Sequence, residues 1–400
     1  MKICAVICEY NPFHTGHLYQ LTKIPAKYDK TICVMSGNFV QRAEPAIIGK
    51  QIRAETALNA GADMVIENPV INAVANGEKF ANGAIKILSR LPDVKGLIMS
   101  CETEQTDLLD KIADVQLNSD NSFSDTLKES LSRGQKYAAA LSEATAAALK
   151  KQGYDSETVK SVLNKPNNLL CIEYIKSIRK YNLDISPVIL KRKGNDYNST
   201  SVFGNYLSAT AIRNILLSDS PTEATPYLPE TEKILDVICR GKNADYALYD
   251  ALSLYNLRTA SKTQLANLYD CGEGLEHSLY DNARLHEDMR QVLESVKSKR
   301  YTYARLKRII LQLNLGITKE VMKRAENEKI PFRVLAVKND FKFYLSEIEK
   351  NAVIRNSDYD KFQEYEYYFD IEKRASALYS TITKTRDSFY TDRLITDKII

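Results

Sequence analysis

The feature that most constrains the fold is a series of short, almost continuous apolar segments, each followed by a stretch of helical character. The apolar segments are residues 3–8, 31–35, 64–66 and 96–99, with a later one at 186–190. Apolar runs without alternation are typical of strands that are buried on both faces. Because helical segments lie between them, the sequence predicts an α/β fold with a parallel sheet.

A pair of histidines follows the first predicted strand and opens the first predicted helix. His14 and His17 are two of only four histidines in the chain, and Gly16 lies between them. Ligands of open α/β sheets bind at the carboxyl ends of strands, and a helix N-terminus there favours an anion. Imidazoles can donate hydrogen bonds to phosphate oxygens, and glycine allows close backbone approach. The segment therefore predicts a phosphate site; a surface turn and a zinc site are the alternatives.

Two later segments carry further candidate phosphate ligands. Residues 191–193 are Lys-Arg-Lys and follow the predicted strand at 186–190, which gives the candidate Arg192. Ser208 is a suitable N-cap for a helix that contains Arg213. A solvated strand end and an ordinary capped helix remain the alternatives for these segments.

Composition limits the domain organisation of the chain and the classes of partner that it can bind. Three prolines in residues 218–229 indicate a boundary between a domain of residues 1–220 and a mostly helical domain of residues 221–400. The formal net charge is only +4, so nucleic-acid binding would depend on a local basic surface. Seven cysteines without a CxxC pair support neither a disulfide framework nor a metal site. No apolar stretch is long enough to span a membrane, and the expected location is the cytoplasm.

Longer motifs resemble a known family. His14, Gly16 and His17 resemble the signature of the HIGH-motif nucleotidyltransferase superfamily, and residues 208–213 are similar to its second motif, with Ala209 as a departure. EYNPFHTGHL (9–18), SGNFVQRAEPAI (36–47), KPNNLLCIEY (165–174) and YTYARLKRI (301–309) together resemble the tRNA(Met) cytidine acetate ligase family.

The resemblance implies a Rossmann-like HIGH-type nucleotidyltransferase domain and an ATP-dependent ligase. ATP and acetate would give acetyl-adenylate, with Mg²⁺ on the phosphates and without acetyl-CoA. The acetyl group would pass to N4 of the wobble cytidine of elongator tRNA(Met). The implied catalytic residues are His14, His17 and Arg213. The implied ATP-binding residues are Ile7, Cys8, Glu9, Tyr10, Asn11, Pro12, Phe13, His14, Thr15, Gly16, His17, Leu18, Tyr19, Gln20, Ser100, Arg192, Ser208 and one of Asn167 and Asn168.

Two positions depart from the family pattern. Ser100 stands where the family usually has a glycine that approaches ATP, so its Cβ is expected to affect that contact. Ala43 also replaces a usual glycine. Alanine adopts most backbone conformations except those with positive φ, so this departure is expected to matter less.

A basic segment in the second half provides the candidate RNA-binding surface. Residues 297–324 contain nine basic residues and one acidic residue, with Tyr301 and Tyr303 among them. Tyrosines can stack on unpaired bases, and lysines and arginines contact phosphates. The predicted tRNA contacts are Lys297, Lys299, Arg300, Arg305 and Arg308. A solvated basic helix is the alternative for this segment.

Two other functions compete with this interpretation. One is a small-molecule adenylyltransferase of the same superfamily, although such enzymes need fewer residues. The other is a non-catalytic RNA-binding protein with a degenerate nucleotide site. The retained His14, His17 and Arg213 argue against the second alternative.

Overall fold

A central β-sheet organises the computed structural model, which describes residues 1–192, 207–298, 300–387, 389 and 394–396. In chain order the strands are β1 (Ile3–Cys8), β2 (Lys30–Ser36), β3 (Phe39–Val40), β4 (Glu44–Pro45), β5 (Met64–Asn68), β6 (Val94–Cys101), β7 (Ser186–Lys191), β8 (Phe332–Val337), β9 (Ala352–Val353) and β10 (Ile395–Thr396). The strand order of the main sheet is β10-β8-β5-β2-β1-β6-β7, with β9 beside β8. The short strands β3 and β4 form a separate hairpin.

The strands of the first half that belong to the main sheet pair in parallel, and β1, β2, β5 and β6 are largely buried, whereas the edge strand β7 is more exposed. β1 pairs in parallel with β2 and with β6, and the same direction holds for β2 with β5 and for β6 with β7. Ile3 and Ala5 pack into the core on one face of the sheet, while Cys4 and Val6 pack into the core on the other. This arrangement confirms the predicted α/β fold and explains why the apolar segments show no alternation.

The helices cover both faces of this sheet and form most of the second half of the chain. In chain order they are α1 (Thr15–Thr22), α2 (Lys50–Asn59), α3 (Val70–Ala73), α4 (Gly77–Leu88), α5 (Thr106–Leu117), α6 (Asn121–Ser132), α7 (Tyr137–Lys150), α8 (Ser156–Leu163), α9 (Pro166–Lys180), α10 (Ala209–Leu216), α11 (Thr231–Cys239), α12 (Tyr246–Thr259), α13 (Lys262–Asn267), α14 (Leu275–Leu285), α15 (Met289–Val296), α16 (Tyr303–Leu315), α17 (Lys319–Asn327), α18 (Tyr344–Ile348) and α19 (Glu366–Thr383). Short 3₁₀ helices span Pro221–Tyr227, Asn339–Phe341 and Asn356–Tyr365. Within the described part of the chain, no helix is long and apolar enough to cross a membrane.

The sheet is not purely parallel, because a strand from the second half of the chain joins it. β8 pairs antiparallel with β5, and Met64 lies opposite Val337. Lys30 bridges the two halves, with Nζ at 3.1 Å from a carboxylate oxygen of Asp63 and 2.6 Å from one of Asp340. The division into residues 1–220 and 221–400 remains a prediction, but a cut there would remove β8 from the sheet.

The order of strands places a crevice beside β1. The chain passes from β1 to β2 on one side and later returns to place β6 on the other side. Such a reversal leaves a gap between the connecting loops at the carboxyl ends of the strands, where α/β proteins bind ligands. The loop between β1 and α1 begins at this point.

Candidate active site

The main cleft opens at the carboxyl ends of β1 and β6, where the strand order reverses. Most residues predicted as nucleotide ligands line it: Ile7, Cys8, Glu9, Tyr10, Asn11, His14, Gly16, His17, Tyr19, Gln20, Ser100, Asn167, Arg192, Ser208 and Arg213. The other predicted residues are Pro12, Phe13, Thr15, Leu18 and Asn168, which lie outside this lining. Segments that are about 200 residues apart in the chain thus meet at one cleft.

His14 and His17, here called the histidine pair, fix each other at the start of α1. His14 is the N-cap, and its Nδ1 accepts a hydrogen bond from the Gly16 N–H at 3.0 Å. The backbone N–H of His14 in turn donates to Nδ1 of His17 at 3.3 Å. The ring centroids are 3.8 Å apart. This reciprocal capping box satisfies backbone donors at the helix start and holds both rings against each other.

The histidine pair is neutral and offers hydrogen-bond donors. Each Nδ1 accepts from a backbone N–H, which assigns the ring proton to Nε2 in both residues. Burial, reinforced by the charges of Arg192 and Arg213, lowers the pKa of His14 to about 3. Burial and the neighbouring His14 lower the pKa of His17 well below its ordinary value. Neutral Nε2–H groups can stabilise phosphate charge without exchanging protons with it.

Gly16 makes the close packing of the histidine pair possible. A Cβ at this position would lie 2.8 Å from Cε1 and 3.0 Å from Nδ1 of His14. Carbon atoms do not approach that closely without displacement, so any larger residue would move the His14 ring. The sequence predicts that Gly16 allows close approach of a phosphate. In the structure, glycine is also needed at this position because a Cβ would displace the His14 ring.

Arg213 joins the helix α10 to the loop after β1. Ser208 caps α10 by accepting from the Ala211 N–H at 3.1 Å. Arg213 donates from Nη1 to the main-chain oxygen of Asn11 at 2.8 Å and from Nη2 to the hydroxyl of Thr210 at 3.1 Å. These contacts hold the guanidinium at the wall of the main cleft, next to the loop between β1 and α1.

The two adjacent asparagines of α9 have different environments. Asn168 is buried, accepts from the Glu102 N–H at 2.7 Å and donates to the Val162 carbonyl at 3.1 Å. Asn167 lines the main cleft, and its Oδ1 accepts from Arg192 at 3.3 Å, while its buried Nδ2 has no hydrogen-bond partner among the described residues. Asn167 is therefore the asparagine that has a donor to offer a ligand.

The two departures from the family pattern differ in backbone conformation. Ala43 has φ of +57° and is buried. The expectation that Ala43 matters less was wrong, because a left-handed conformation costs a non-glycine residue about 1–2 kcal/mol. Ser100 lines the main cleft at the end of β6 and is not among the residues with positive φ. Its serine therefore adds a Cβ to the cleft wall without backbone strain.

Several residues of the cleft wall were not predicted as site residues. Among them are Gln41, Arg42, Glu44, Phe80 and Tyr174. The N–H of Gln41 donates to the carboxylate of Glu9 at 2.8 Å, while burial raises the pKa of that carboxylate. Gln41, Arg42 and Glu44 lie in the segment 36–47, and Tyr174 lies in the segment 165–174. Both segments resemble the family, so the same resemblance could have identified these residues as site residues.

The fully buried Arg53 ties the loops below the main cleft together. It donates from Nη1 to the main-chain oxygens of Glu9 at 2.6 Å and Ser36 at 3.0 Å, and from Nη2 to that of Gly37. Its Nε donates to the Ile48 carbonyl at 3.1 Å. The ends of β1 and β2 are thus held by one guanidinium, which sequence inspection did not identify because its partners are backbone atoms.

The predicted tRNA contacts differ in exposure. Lys297 and Arg300 are exposed, although Arg300 pairs with Glu273 at 3.1 Å. Arg305 donates to the Asp270 carbonyl at 3.0 Å. Arg308 pairs with the Asp270 carboxylate at 2.8 Å, and both side chains are only 13% exposed. That ion pair gives Arg308 a structural role, while its contact with tRNA remains a prediction.

The remaining predicted contact, Lys299, lies outside the described residues. The basic segment nevertheless adjoins the main cleft. Lys307 of α16 forms an ion pair with Glu44, which lines that cleft. A macromolecule that contacts exposed cations of this segment would therefore lie beside the main cleft.

Comparisons with known proteins give the same family from sequence and structure. The sequence model of the HIGH Nucleotidyl Transferase family matches residues 1–392. A tRNA(Met) cytidine acetate ligase of Thermoanaerobacter sp. (strain X514) is 37% identical over 357 residues, which cover 88% of this chain and 87% of the relative. The enzyme of the same name from Acetivibrio thermocellus is 34% identical over 378 residues, which cover 90% of each chain.

Two solved structures share the whole fold. The crystal structure of Thermotoga maritima TmcAL without ligand superposes with a TM-score of 0.93 at 30% identity, covering 99% of this chain and 100% of that chain. A second structure of TmcAL, bound with alpha-thio ATP, gives a TM-score of 0.91 with the same coverage. The chain therefore belongs to the HIGH nucleotidyl transferases and, among them, to the tRNA(Met) cytidine acetate ligase family.

Proposed function

We propose that the protein is an ATP-dependent tRNA(Met) cytidine acetate ligase. It activates acetate as acetyl-adenylate and transfers the acetyl group to N4 of the wobble cytidine of elongator tRNA(Met). The observation that carries the proposal is the closely packed, neutral histidine pair beside Arg213 at the start of α1. The names of the relatives and the ATP analogue bound to TmcAL support the choice of substrates. Because the substrate is tRNA, the proposed reaction takes place in the cytoplasm.

The first step forms an anhydride between acetate and AMP. An acetate oxygen bonds to the α-phosphorus of ATP as the bond to the pyrophosphate oxygen breaks, and pyrophosphate leaves. The histidine pair donates from Nε2–H to phosphate oxygens, and Arg192 and Arg213 balance their charge. The reaction requires in-line positioning more than covalent help from the protein. Asn167 contributes at the same wall its Nδ2 donor, which no described residue engages.

Mg²⁺ would reach the main cleft as part of the MgATP substrate. Among the described residues, no group of three or more His, Cys, Asp or Glu side chains is arranged to hold a metal ion. The cleft cations and neutral imidazoles fit the phosphate chain of a nucleotide that brings its own cation. Bound Mg²⁺ would offset charge on the phosphates as pyrophosphate leaves.

The second step transfers the acetyl group directly to the RNA. The N4 amine of cytidine attacks the acetyl carbonyl, the bond to the AMP oxygen breaks, and the amine loses a proton. Cys8 lines the main cleft, but burial raises the pKa of its thiol well above the ordinary value. A protonated thiol is a poor nucleophile, so an acetyl-cysteine intermediate is not part of the proposal.

The test is acetylation of a tRNA transcript by the purified protein. Labelled acetate, ATP and elongator tRNA(Met) should give label in the RNA, and replacement of the wobble cytidine should remove it. Acetyl-CoA in place of ATP and acetate should give no product. ATP cleavage with another small molecule but no RNA label would contradict the proposal in favour of a small-molecule adenylyltransferase. RNA binding without ATP cleavage would favour a non-catalytic protein.

A further inference from the structure

A second cleft in the structure has an excess of positive charge. It lies where the C-terminal ends of α4, α9 and α17 meet. Its basic residues, which define what is here called the basic cleft, are Lys79, Lys86, Arg90, Lys180 and Lys329. Its acidic residues are Glu326 and Glu328, so five positive and two negative charges leave a net charge of +3. The whole chain has a net charge of only +4, and this cleft is therefore a strong local concentration.

The two carboxylates do not neutralise most of the basic side chains. Glu326 pairs with Lys79 at 2.8 Å, and Glu328 pairs with Arg324, which lies outside the basic cleft, at 2.7 Å. Among the described residues, none of the other four cations forms an ion pair with a carboxylate. Within the described part of the chain, Lys86 and Arg90 donate only to main-chain oxygens, including that of Ile330 at 2.8 Å from Arg90. A ligand with negative charge would supply the missing partner.

Burial strengthens the effect of this unbalanced charge. Arg90 stacks 5.0 Å from the centroid of the Phe332 ring, and burial lowers its pKa to about 10. Burial also lowers the pKa of Lys86, and the nearby Lys180, Arg90 and Lys79 act in the same direction. The charged form of Lys86 is therefore disfavoured by these neighbouring cations, although Glu326 opposes their effect, and an anion in the cleft would relieve that repulsion.

The basic cleft and the main cleft share the helices α4 and α9. Phe80 of α4 lines the main cleft, whereas Lys86 of the same helix lines the basic cleft. On α9 the corresponding residues are Tyr174 and Lys180. A separation of six residues corresponds to about 9 Å along each helix axis. A nucleic-acid strand carries one charge about every 3.4 Å, so a few nucleotides span this distance.

We propose that the basic cleft binds the phosphate backbone of the RNA substrate while a nucleotide of that RNA occupies the main cleft. This inference rests on the proposed function, because the RNA is the polyanion that this function brings to the protein. The amide side chains of Asn72, Asn82 and Asn327 also line the basic cleft and can donate to phosphate oxygens. The site recognises charge and backbone rather than bases.

Some of these cations stabilise a helix end, and this structural role must be separated from ligand binding. Helix C-termini attract positive charge, and Nε of Arg90 donates to the Lys86 carbonyl at 3.1 Å. Lys180 and Lys329 differ from Arg90 because both are exposed. Neutralising these two lysines therefore tests ligand binding without removing the contacts that hold the helix end.

The test compares a double variant, Lys180→Gln with Lys329→Gln, with a matched control, Lys111→Gln with Lys350→Gln. The control lysines are also exposed and line neither cleft. Binding of labelled elongator tRNA(Met) is measured by fluorescence anisotropy at about 50 mM and about 200 mM salt. Acetate-dependent ATP–pyrophosphate exchange is measured for all proteins without RNA. Thermal melting shows whether each variant is folded.

We expect the double variant to bind tRNA more weakly and with a smaller dependence on salt. Two lost single-strand phosphate contacts reduce the slope by about 1.4, which makes the loss of affinity between those salt concentrations about sevenfold smaller. The control should match the unmodified protein, and exchange should be unchanged in every folded variant. An unchanged affinity and slope in the double variant would overturn the inference. Absent exchange in the unmodified protein would instead contradict the proposed function.

Discussion

Replacement of Arg53 by methionine should destabilise the protein and disturb the main cleft. The guanidinium is fully buried and donates to the backbone carbonyls of Glu9, Ser36, Gly37 and Ile48. Methionine retains most of the apolar stem and removes every donor. Four carbonyls would then be left without this partner at the ends of β1 and β2.

The magnitude follows from two opposing contributions. Hydrogen bonds from a charged group contribute about 1.5 kcal/mol or more each, so four sum to about 6 kcal/mol. Removing a buried guanidinium recovers its desolvation cost, which is several kcal/mol. Burial indeed lowers the pKa of Arg53, although nearby Glu67 and Glu9 oppose that effect. We expect a net decrease of about 3 kcal/mol in the free energy of unfolding, which is a large part of the usual total.

The assay is urea unfolding followed by circular dichroism, together with the KM for ATP. Arg53→Met should unfold at lower urea and show a higher KM, because Glu9 adjoins the nucleotide loop. Arg53→Lys keeps the charge but lacks the planar guanidinium, so its stability and its KM for ATP should lie between those of Arg53→Met and the unmodified protein. Arg240→Met serves as a control, because that side chain is 71% exposed and its ion pair is with Asp236, one turn earlier at the end of α11. A change below about 1 kcal/mol for Arg53→Met would show that these four hydrogen bonds do not stabilise the fold.

Three further predictions concern protonation, a salt bridge and a glycine. The histidine pair should show no protonation in NMR titrations between pH 8 and pH 5. Burial lowers the pKa of both imidazoles below the unfolded value of about 6.5, to about 3 for His14, so the pair contributes stability above that pH and loses it as the pH falls further. Arg308→Gln should lower the free energy of unfolding by about 3 kcal/mol, since it leaves the largely buried carboxylate of Asp270 with the neutral donor Gln312 and without its cationic partner, whereas Arg300→Gln should leave it unchanged. Gly37→Ala should cost about 2 kcal/mol, because the new methyl group would collide with the carboxylate of Glu67.

Each of these predictions has its own contradicting result. Assignment by the single variants His14→Asn and His17→Asn identifies the two NMR signals, and a midpoint above pH 6 for either would exclude a neutral pair. Equal unfolding curves for Arg308→Gln and the unmodified protein would remove the structural role of that ion pair. Gly272→Ala is the glycine control, because a Cβ there meets nothing within 4 Å. Equal stability of both alanine variants would show that the Gly37 site can adapt.

The parts of the structure with local signals could be predicted from the sequence. Both-face burial produces unbroken apolar segments, and the observed strand β1 spans the predicted residues 3–8. The histidine pair was found because a strand, a glycine and a helix start are close together in the chain. The strand order then places that pair at the crevice beside β6.

Long-range partners and backbone angles left no local signal. The pairing of β8 with β5 joins segments that are more than 250 residues apart, so apolar character alone could not reveal it. Arg308 has a basic neighbourhood in sequence, but its partner Asp270 lies 38 residues away. The positive φ of Ala43 depends on the turn between β3 and β4, in which its N–H donates to the Val40 carbonyl.

Acetate-dependent exchange of labelled pyrophosphate into ATP, in the absence of tRNA, tests directly whether adenylate forms at the histidine pair. The histidine pair should support this exchange in the unmodified protein. His17→Ala should remain folded but lose exchange by about 100-fold or more, as expected when a preorganised donor to transition-state charge is removed. Exchange that is absent from the unmodified protein, or that is retained in His17→Ala, would contradict adenylate formation at this pair.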